Sequence, residues 1–107
     1  MTAITTHVLD TARGVPAAGV GVVLEAWESN GWRPLATAVT DDDGRAPDLG
    51  LADVGAGVHR LVFATREHLG AGAFFPEVIV VIEVRDEEHL HVPLLLAPYG
   101  YSTYRGS

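Results

Sequence analysis

Two histidines and one arginine stand where their side chains can do proton-transfer chemistry. Period-two alternation in the apolar segment 89–96 places His91 on the face opposite the leucines. His7 is placed the same way, because both of its neighbours point to the other side of their strand. Arg45 follows a tight acidic turn. Imidazole exchanges a proton near neutral pH, and guanidinium stays charged and presents a planar fork to oxygen atoms. These residues predict a reactive site if the fold brings them together.

The same histidines allow two other interpretations. Unpaired histidines on a sheet face are commonly solvated surface residues without a further role. Alternatively, His89 and His91 are two apart on a strand, point the same way and suit a zinc ion, with His7 as a third ligand. No acidic or cysteine ligand at a fixed spacing supports zinc, and the sequence leaves these interpretations open.

The acidic turn before Arg45 partly matches a calcium loop. Asp41, Asp43 and Gly44 fit Asp-x-Asp-x-Asp-Gly, but Val39 occupies the first ligand position and Gly50 the twelfth. A solvated turn is therefore predicted. The chain also has no Gly-x-Ser-x-Gly elbow, no phosphate-binding Gly-x-x-x-x-Gly-Lys and no His-Glu-x-x-His.

The elements that must position these residues are short strands. Glycine and proline recur roughly every ten residues between β-branched runs, which is typical of an all-β protein. Seven or eight strands and one short helix are predicted, in a two-sheet antiparallel sandwich. The predicted strands are 4–10, 20–27, 32–40, a short one around Leu49, 58–64, 77–84, 89–96 and 101–105. One helical turn is predicted at 65–69.

Several side chains outside the reactive set also have predicted places. Trp27 and Trp32 flank an Asn-Gly hairpin and should pair across it. His59 and His68 are interpreted as surface residues. The segment 77–84 is apolar on both faces, which predicts that a partner sheet or subunit covers its second face. The three tyrosines near the end of the chain suit an interface or a ligand; these are Tyr99, Tyr101 and Tyr104.

Length and charge limit the class of protein. The chain has 107 residues, near the usual size of one domain, so residues 1–107 are predicted to form a single domain. It has no cysteine, which excludes disulfides and thiolate metal sites. The net charge of −7 argues against nucleic acid and anionic membranes as partners. No secretory pattern or membrane-spanning apolar run is present, so a cytoplasmic location is expected.

Five blocks of sequence, which together extend over essentially the whole chain, resemble the transthyretin-like family. They are Thr5-Thr6-His7-Val8-Leu9-Asp10-Thr11 with Gly14-Val15-Pro16-Ala17, Asp43-Gly44-Arg45, Phe74-Phe75-Pro76-Glu77-Val78, His91-Val92-Pro93-Leu94-Leu95-Leu96 and Tyr104-Arg105-Gly106-Ser107. The first block and the terminal tetrapeptide are similar to the enzyme branch, the 5-hydroxyisourate hydrolases. Two departures are Leu90, where an aromatic is frequent, and Ala97, where a serine is usual. Neither is expected to be catalytic.

The resemblance implies an activity and a set of site residues. Water would open the ring of 5-hydroxyisourate, the unstable product of urate oxidation, at a carbonyl, giving 2-oxo-4-hydroxy-4-carboxy-5-ureidoimidazoline. His7, Arg45 and His91 would be catalytic, with one histidine as the general base and the other orienting or returning the proton. Which histidine does which stays open. Arg45 would stabilise the oxyanion. The residues implied to bind substrate are His7, Arg45, Tyr104, Arg105, Gly106 and Ser107.

The resemblance also implies partners and cofactors. Family members are homotetramers, dimers of dimers with sites in a central channel, and they need no metal or organic cofactor. The expected partners are therefore the small-molecule substrate and further copies of the chain. The carrier branch of the family shares the fold but lacks these histidines and this ending. The alternative prediction is a non-catalytic carrier of a small aromatic ligand.

Overall fold

A computed structural model describes all residues, 1–107, as nine strands in two sheets with two short helical segments. The strands are β1 (Thr2–Asp10), β2 (Val15–Pro16), β3 (Gly21–Glu28), β4 (Gly31–Val39), β5 (Asp53–Val54), β6 (Gly57–Ala64), β7 (Val78–Val84), β8 (His89–Ala97) and β9 (Gly100–Thr103). A 3-10 helix spans Pro47–Leu51 and α1 spans Arg66–Leu69. The all-β sandwich is confirmed. The strand count exceeds the prediction because β2 and β5, two residues each, are too short to leave a sequence pattern.

One pairing departs from the predicted antiparallel arrangement. The first sheet has the order β2-β1-β8-β9 with β5 also on β1, and the second has the order β4-β3-β6-β7. β1 and β8 are parallel, from Ala3 opposite His89 to Asp10 opposite Leu96. After β1 and β2 the chain builds the second sheet, returning to the first only for the short β5, and then re-enters the first sheet with β8 beside the start of β1. Sequence periodicity does not carry this information, because it is the same for either strand direction.

A single cluster of 17 buried apolar residues lies between the sheets. Its largest fully buried members include Phe63, Ile4, Leu24 and Leu94, which come from both sheets. Because the buried positions alternate along β1, the intervening side chains must lie on the outward face. The core therefore fixes which residues of β1 and β8 face away from it.

The segment around Leu49 is a 3-10 helix and not a short strand, which corrects the prediction. Pro47 begins the helix, where its missing N–H is not needed. Leu49 is fully buried. A single helical turn places one apolar side chain in the core, as a short strand also can. The apolar Leu49 in the sequence therefore did not distinguish the two.

The last strand ends earlier than predicted. β9 stops at Thr103 instead of continuing to Arg105, and the ladder with β8 is interrupted opposite Pro93, which has no N–H to donate. Thr103 Oγ1 donates to the Pro93 carbonyl at 2.7 Å instead. Pairing resumes where Gly106 bridges to His91. The chain end thus stays attached to β8.

Two histidines predicted to lie on the surface do not: one is buried and the other is largely shielded from solvent. His59 is only 4% exposed because it shares the core face of β6 with Leu61 and Phe63, and its Nδ1 donates to the Gly57 carbonyl at 3.0 Å. The side chain of His68 in α1 is 11% exposed, and its Nε2 lies 2.8 Å from Asp10 Oδ2. Both predictions were wrong because they relied on the polarity of sequence neighbours.

One other prediction about the second sheet is confirmed, and the predicted partner over the second face of β7 stays a prediction. Trp27 and Trp32 are cross-strand partners with ring centroids 5.2 Å apart, in an edge-to-face arrangement. β7 forms an edge of its sheet. Within the single chain, Ile79 and Val81 on its second face are 43% and 59% exposed.

No helix in the structure is both long and apolar enough to span a membrane.

Candidate active site

The outward faces of β1 and β8 form the floor of the site. In the parallel register, Thr5 lies opposite His91 and His7 lies opposite Pro93. Thr5 and His7 are the half-buried residues between the buried ones of β1, and His89 and His91 occupy the matching face of β8. The outward orientation predicted for His7 and His91 is confirmed. The two imidazoles, 84 positions apart in the chain, lie on neighbouring strands.

A tight turn brings Arg45 to this face. Asp41 Oδ1 accepts the backbone N–H groups of Asp43 and Arg45 at 2.9 and 3.0 Å. Gly44 has a φ of 77°, a left-handed conformation that glycine adopts without strain. A Cβ at Gly44 would lie 2.3 Å from the carbonyl oxygen of Val8, so the turn packs directly on β1. The Asp41 carboxylate therefore organises an exposed turn, in agreement with the predicted turn.

His7 and Arg45 face each other as an antiparallel bridged pair. His7 Nε2 donates to the carbonyl oxygen of Asp43 at 2.8 Å, since a carbonyl can only accept. A neutral His7 therefore has its proton on Nε2 and leaves Nδ1 bare. The pairing fixes the backbone of Arg45 beside a ring that can exchange protons.

The chain end lies against His91. The Gly106 N–H donates to the His91 carbonyl at 2.8 Å. A Cβ at Gly106 would lie 2.7 Å from His91 Cδ2 and 3.2 Å from Pro93 Cγ, so only glycine fits without displacement. Arg105 turns the other way, and its guanidinium lies 3.7 Å from Glu87. The side chains of Arg105 and Ser107 therefore lie on opposite sides of Gly106.

Two grooves adjoin at this point. The histidine groove, of about 490 Å³, is lined by Thr5, Thr6, Asp41, Arg45, Ala46, Pro47, His89, His91 and Ser107. The apolar groove, of about 260 Å³, is lined by Val80, Val81, Ile82, Glu83, Leu90, His91, Val92, Thr103, Tyr104 and Arg105. His91 is the residue that lines both.

The structure brings together part of the predicted site. Arg45, His91 and Ser107 line the histidine groove, and His7 adjoins it as the bridged partner of Arg45. Tyr104 lies in the apolar groove together with Arg105. In the single chain, the residues expected to bind substrate are therefore distributed over two grooves that share His91.

His91 is the group whose proton affinity the site changes. Burial lowers the pKa of His91 below its ordinary value of 6.5, and the charges of Arg45, His89 and His7 lower it further. A hydrogen bond to the backbone of Thr5 acts in the opposite direction. The net effect keeps His91 neutral at neutral pH, which is the form that can accept a proton.

The geometry does not assemble the zinc site that the sequence allowed. The rings of His89 and His91 are stacked with centroids 6.4 Å apart. Thr5 Oγ1 lies 2.8 Å from His89 Nε2 and 2.8 Å from His91 Nδ1. His7 Nε2 is bound to a backbone carbonyl. No group of three or more His, Cys, Asp or Glu side chains that could hold a metal ion is present.

Sequence reasoning missed two residues on this face and considered a third only as a possible zinc ligand. Thr5 bridges two histidines, Asp41 lines the histidine groove, and His89 had been considered only as a zinc ligand. The outward phase of β1 already placed Thr5 on the same face as His7. What the sequence lacked was the parallel register that sets Thr5 opposite His91.

Comparison with known proteins gives consistent matches. The model of the HIUase/Transthyretin family matches residues 4–106. The chain is 44% identical to a 5-hydroxyisourate hydrolase of Caulobacter vibrioides, covering 100% of both chains. It is 46% identical to the uric acid degradation bifunctional protein TTL of Arabidopsis thaliana, covering 97% of this chain but only 37% of that longer protein.

Solved structures agree with these matches. The 5-hydroxyisourate hydrolase of Klebsiella pneumoniae superposes with a TM-score of 0.86 at 36% identity, covering 100% of both chains. Sea bream transthyretin, solved in complex with thyroxine, superposes with a TM-score of 0.87 at 30% identity, covering 96% of this chain and 93% of that one. The fold is therefore shared by an enzyme and by a ligand-binding protein, and the site residues must distinguish them.

Proposed function

This chain belongs to the HIUase/transthyretin family, and from that premise we propose that it is an enzyme that hydrolyses 5-hydroxyisourate in urate degradation. The observation that carries the proposal is the half-buried His91, whose pKa is lowered by burial and then by Arg45, in the groove that Arg45 lines. A neutral base beside a fixed positive charge suits the attack of water on a carbonyl.

His91 is the general base of this proposal. Its Nδ1 is bound to Thr5, so Nε2 is the nitrogen that remains to accept a proton from water. The hydroxide equivalent adds to a ring carbonyl of the substrate, and the carbonyl oxygen becomes an oxyanion. The C–N bond of that amide then breaks, and the departing nitrogen takes the proton back. The ring is thereby opened to 2-oxo-4-hydroxy-4-carboxy-5-ureidoimidazoline.

Arg45 assists at the oxyanion. Its guanidinium stays charged and presents two parallel donors to adjacent oxygens. Removing one preorganised donor of this kind typically costs roughly 10²–10³ in rate. His7 keeps Nδ1 bare because Nε2 is bound to the Asp43 carbonyl, so Nδ1 can orient water by accepting a hydrogen bond from it.

The end of the chain completes the substrate site in this proposal. Ser107 lines the histidine groove, and Gly106 holds it there through the hydrogen bond to His91. Tyr104 and Arg105 line the adjoining apolar groove and would bind ring heteroatoms of a substrate that reaches past His91. In this proposal residues 1–107 form the single active domain.

The active assembly is proposed to be a homotetramer, a dimer of dimers. Ile79 and Val81 support association, because they leave apolar surface on an edge strand, and such an edge favours pairing with another chain. Sedimentation velocity tests the proposal: the expected mass is that of four 11.4 kDa chains. A single-chain mass at working concentration contradicts it.

An ultraviolet assay tests the proposed activity. Urate oxidase generates 5-hydroxyisourate in situ, and its decay is followed with and without this protein. Faster decay, proportional to protein concentration, is expected, with the activity unchanged after exhaustive chelation. A decay rate that the protein does not change contradicts the proposal and favours the carrier of a small aromatic ligand.

A further inference from the structure

Thr5 joins two histidines through a single oxygen atom. Its Oγ1 lies 2.8 Å from His91 Nδ1 and 2.8 Å from His89 Nε2. The register explains the contact: Thr5 lies opposite His91 across the parallel ladder, and Ala3, two residues before it, lies opposite His89. The hydroxyl therefore sits between two rings on the same face of β8. No other hydroxyl in the structure bonds two ionisable side chains.

The number of protons limits what this arrangement can be. A hydroxyl has one proton to donate and two lone pairs with which to accept. If Thr5 donated to His91 Nδ1, a neutral His91 would have its own proton on Nε2 and could not act as a base there. If Thr5 accepts from His91 Nδ1–H, then Nε2 is bare and the Thr5 proton is free to reach His89 Nε2. The two arrangements differ only in the direction of one hydrogen-bond chain.

We propose that Thr5 is a positioning residue that accepts a hydrogen bond from His91 Nδ1–H and donates one to His89 Nε2, which leaves His91 Nε2 bare for the reaction. This rests on the proposed function for the identity of the reaction. His91 keeps the same Nδ1–H bond when Nε2 is protonated, so Thr5 need not reorient as the proton arrives. His89 acts through Thr5, as the neutral acceptor that sets the direction of its hydroxyl.

The charges around His91 agree with this direction. Arg45 from the turn, His7 from β1 and His89 from β8 are the titratable or charged groups that bear on it, and all three oppose a second positive charge. An imidazole of His89 with its proton on Nδ1 presents a lone pair at Nε2, which lies 2.8 Å from Thr5 Oγ1. That lone pair is the acceptor that the Thr5 hydroxyl requires.

The test reads the position of the proton directly and then its effect on rate. Histidine-labelled protein gives ¹⁵N shifts for both ring nitrogens of His91. The parent should show a protonated Nδ1 and a bare Nε2. Thr5→Val removes the hydroxyl but keeps the branched shape. It should abolish the preference for a proton on His91 Nδ1, and it should lower kcat by roughly ten- to a hundredfold with little change in KM. Thr5→Ser keeps the hydroxyl and should restore both the tautomer and most of the rate.

The matched control removes another hydroxyl beyond the other end of the same strand. Thr11 Oγ1 donates to the Leu96 carbonyl at 3.3 Å and does not line the histidine groove, so Thr11→Val should leave kcat and the His91 shifts as in the parent. A proton on Nε2 of neutral His91 in the parent overturns the proposal, and so does Thr5→Val with the parental kcat or with an unchanged tautomer. A parent without activity overturns the proposed function instead, while the ¹⁵N shifts still decide the hydrogen-bond direction.

Discussion

The backbone of Gly106 is hydrogen-bonded to His91 and leaves no room for a side chain beside its ring. Its N–H donates to the His91 carbonyl at 2.8 Å, and a Cβ built on it would lie 2.7 Å from His91 Cδ2. The contact joins the end of the chain to the residue proposed as the base. Any side chain at position 106 must therefore move either the chain end or the imidazole.

Gly106→Ala should lower kcat/KM on 5-hydroxyisourate by on the order of 10²-fold, because a displacement of about 1 Å at a reacting group has an effect of this size. The same addition at Gly100 meets no atom within 4 Å, so Gly100→Ala is the matched control and should retain the parental rate. Steady-state kinetics and circular dichroism on both variants make the comparison. Parental activity in Gly106→Ala would show that the contact is irrelevant to the site.

Arg45→Ala should lower kcat by roughly 10²–10³, because it removes the proposed donor to the oxyanion. Arg45→Lys keeps the charge but not the planar fork, so it should recover only part of the loss. Arg33, an exposed arginine on β4 of the other sheet, provides the control, and Arg33→Ala should be as active as the parent. Equal rates for Arg45→Ala and Arg33→Ala would remove Arg45 from the mechanism.

The pH profile should reflect the lowered pKa of His91. Protonated His91 cannot accept a proton, so kcat/KM falls as pH drops through its pKa, and burial, together with Arg45, places that pKa below 6.5. The acid limb should therefore have its midpoint below 6.5, and Arg45→Ala should move the midpoint upward. Rates measured from about pH 5 to about pH 8 give both values. A parental midpoint above 6.5 contradicts the assignment.

The buried contact between His68 and Asp10 should matter for stability and not for catalysis. Burial raises the pKa of Asp10, but the hydrogen bonds from His68 and from the Arg13 N–H lower it more, so the net pKa lies below 3.8. The folded carboxylate thus binds a proton more weakly than the unfolded one. Its contribution to stability is present above pH 3.8 and is lost as pH falls from there through the folded pKa.

His68→Ala should therefore lower the free energy of unfolding by about 1.5–3 kcal/mol at neutral pH, the usual worth of a hydrogen bond to a charged group. The difference from the parent should shrink on acidification below 3.8, where the parental Asp10 also becomes protonated. Arg66→Ala, an exposed change in the same helix, is the control. Urea unfolding of the parent and the variants, at neutral pH and below pH 3.8, measures this difference in stability. A difference that grows in acid would contradict the role assigned to the His68–Asp10 contact.

Strand phase was the part of this molecule that the sequence determined best. Alternation in β1 and β8 was sufficient to place His7 and His91 outward, because a core on one side makes each position distinguishable from the next. Applied to β6, the same rule would have found His59 on the buried face beside Leu61 and Phe63. Its misassignment came from neglecting phase, not from a lack of signal.

Long-range partners were outside the reach of the sequence. The bond of His68 to Asp10 joins residues 58 positions apart, and the contact of Thr5 with both histidines depends on a parallel register. Each requires knowledge of which strands are neighbours. A threonine in a strand is also common for reasons of β-propensity alone, so Thr5 carried no distinguishing mark.

The central claim is that His7 and His91 act at one site, and a comparison of single and double variants tests it most directly. With 5-hydroxyisourate generated in situ, His7→Ala and His91→Ala should each lose about 10²–10⁴ in rate. The double variant should lose little more than the worse single variant, because residues that act as a unit are not additive. A double variant that accelerates decay as well as the parent, or losses that simply multiply, would contradict the account.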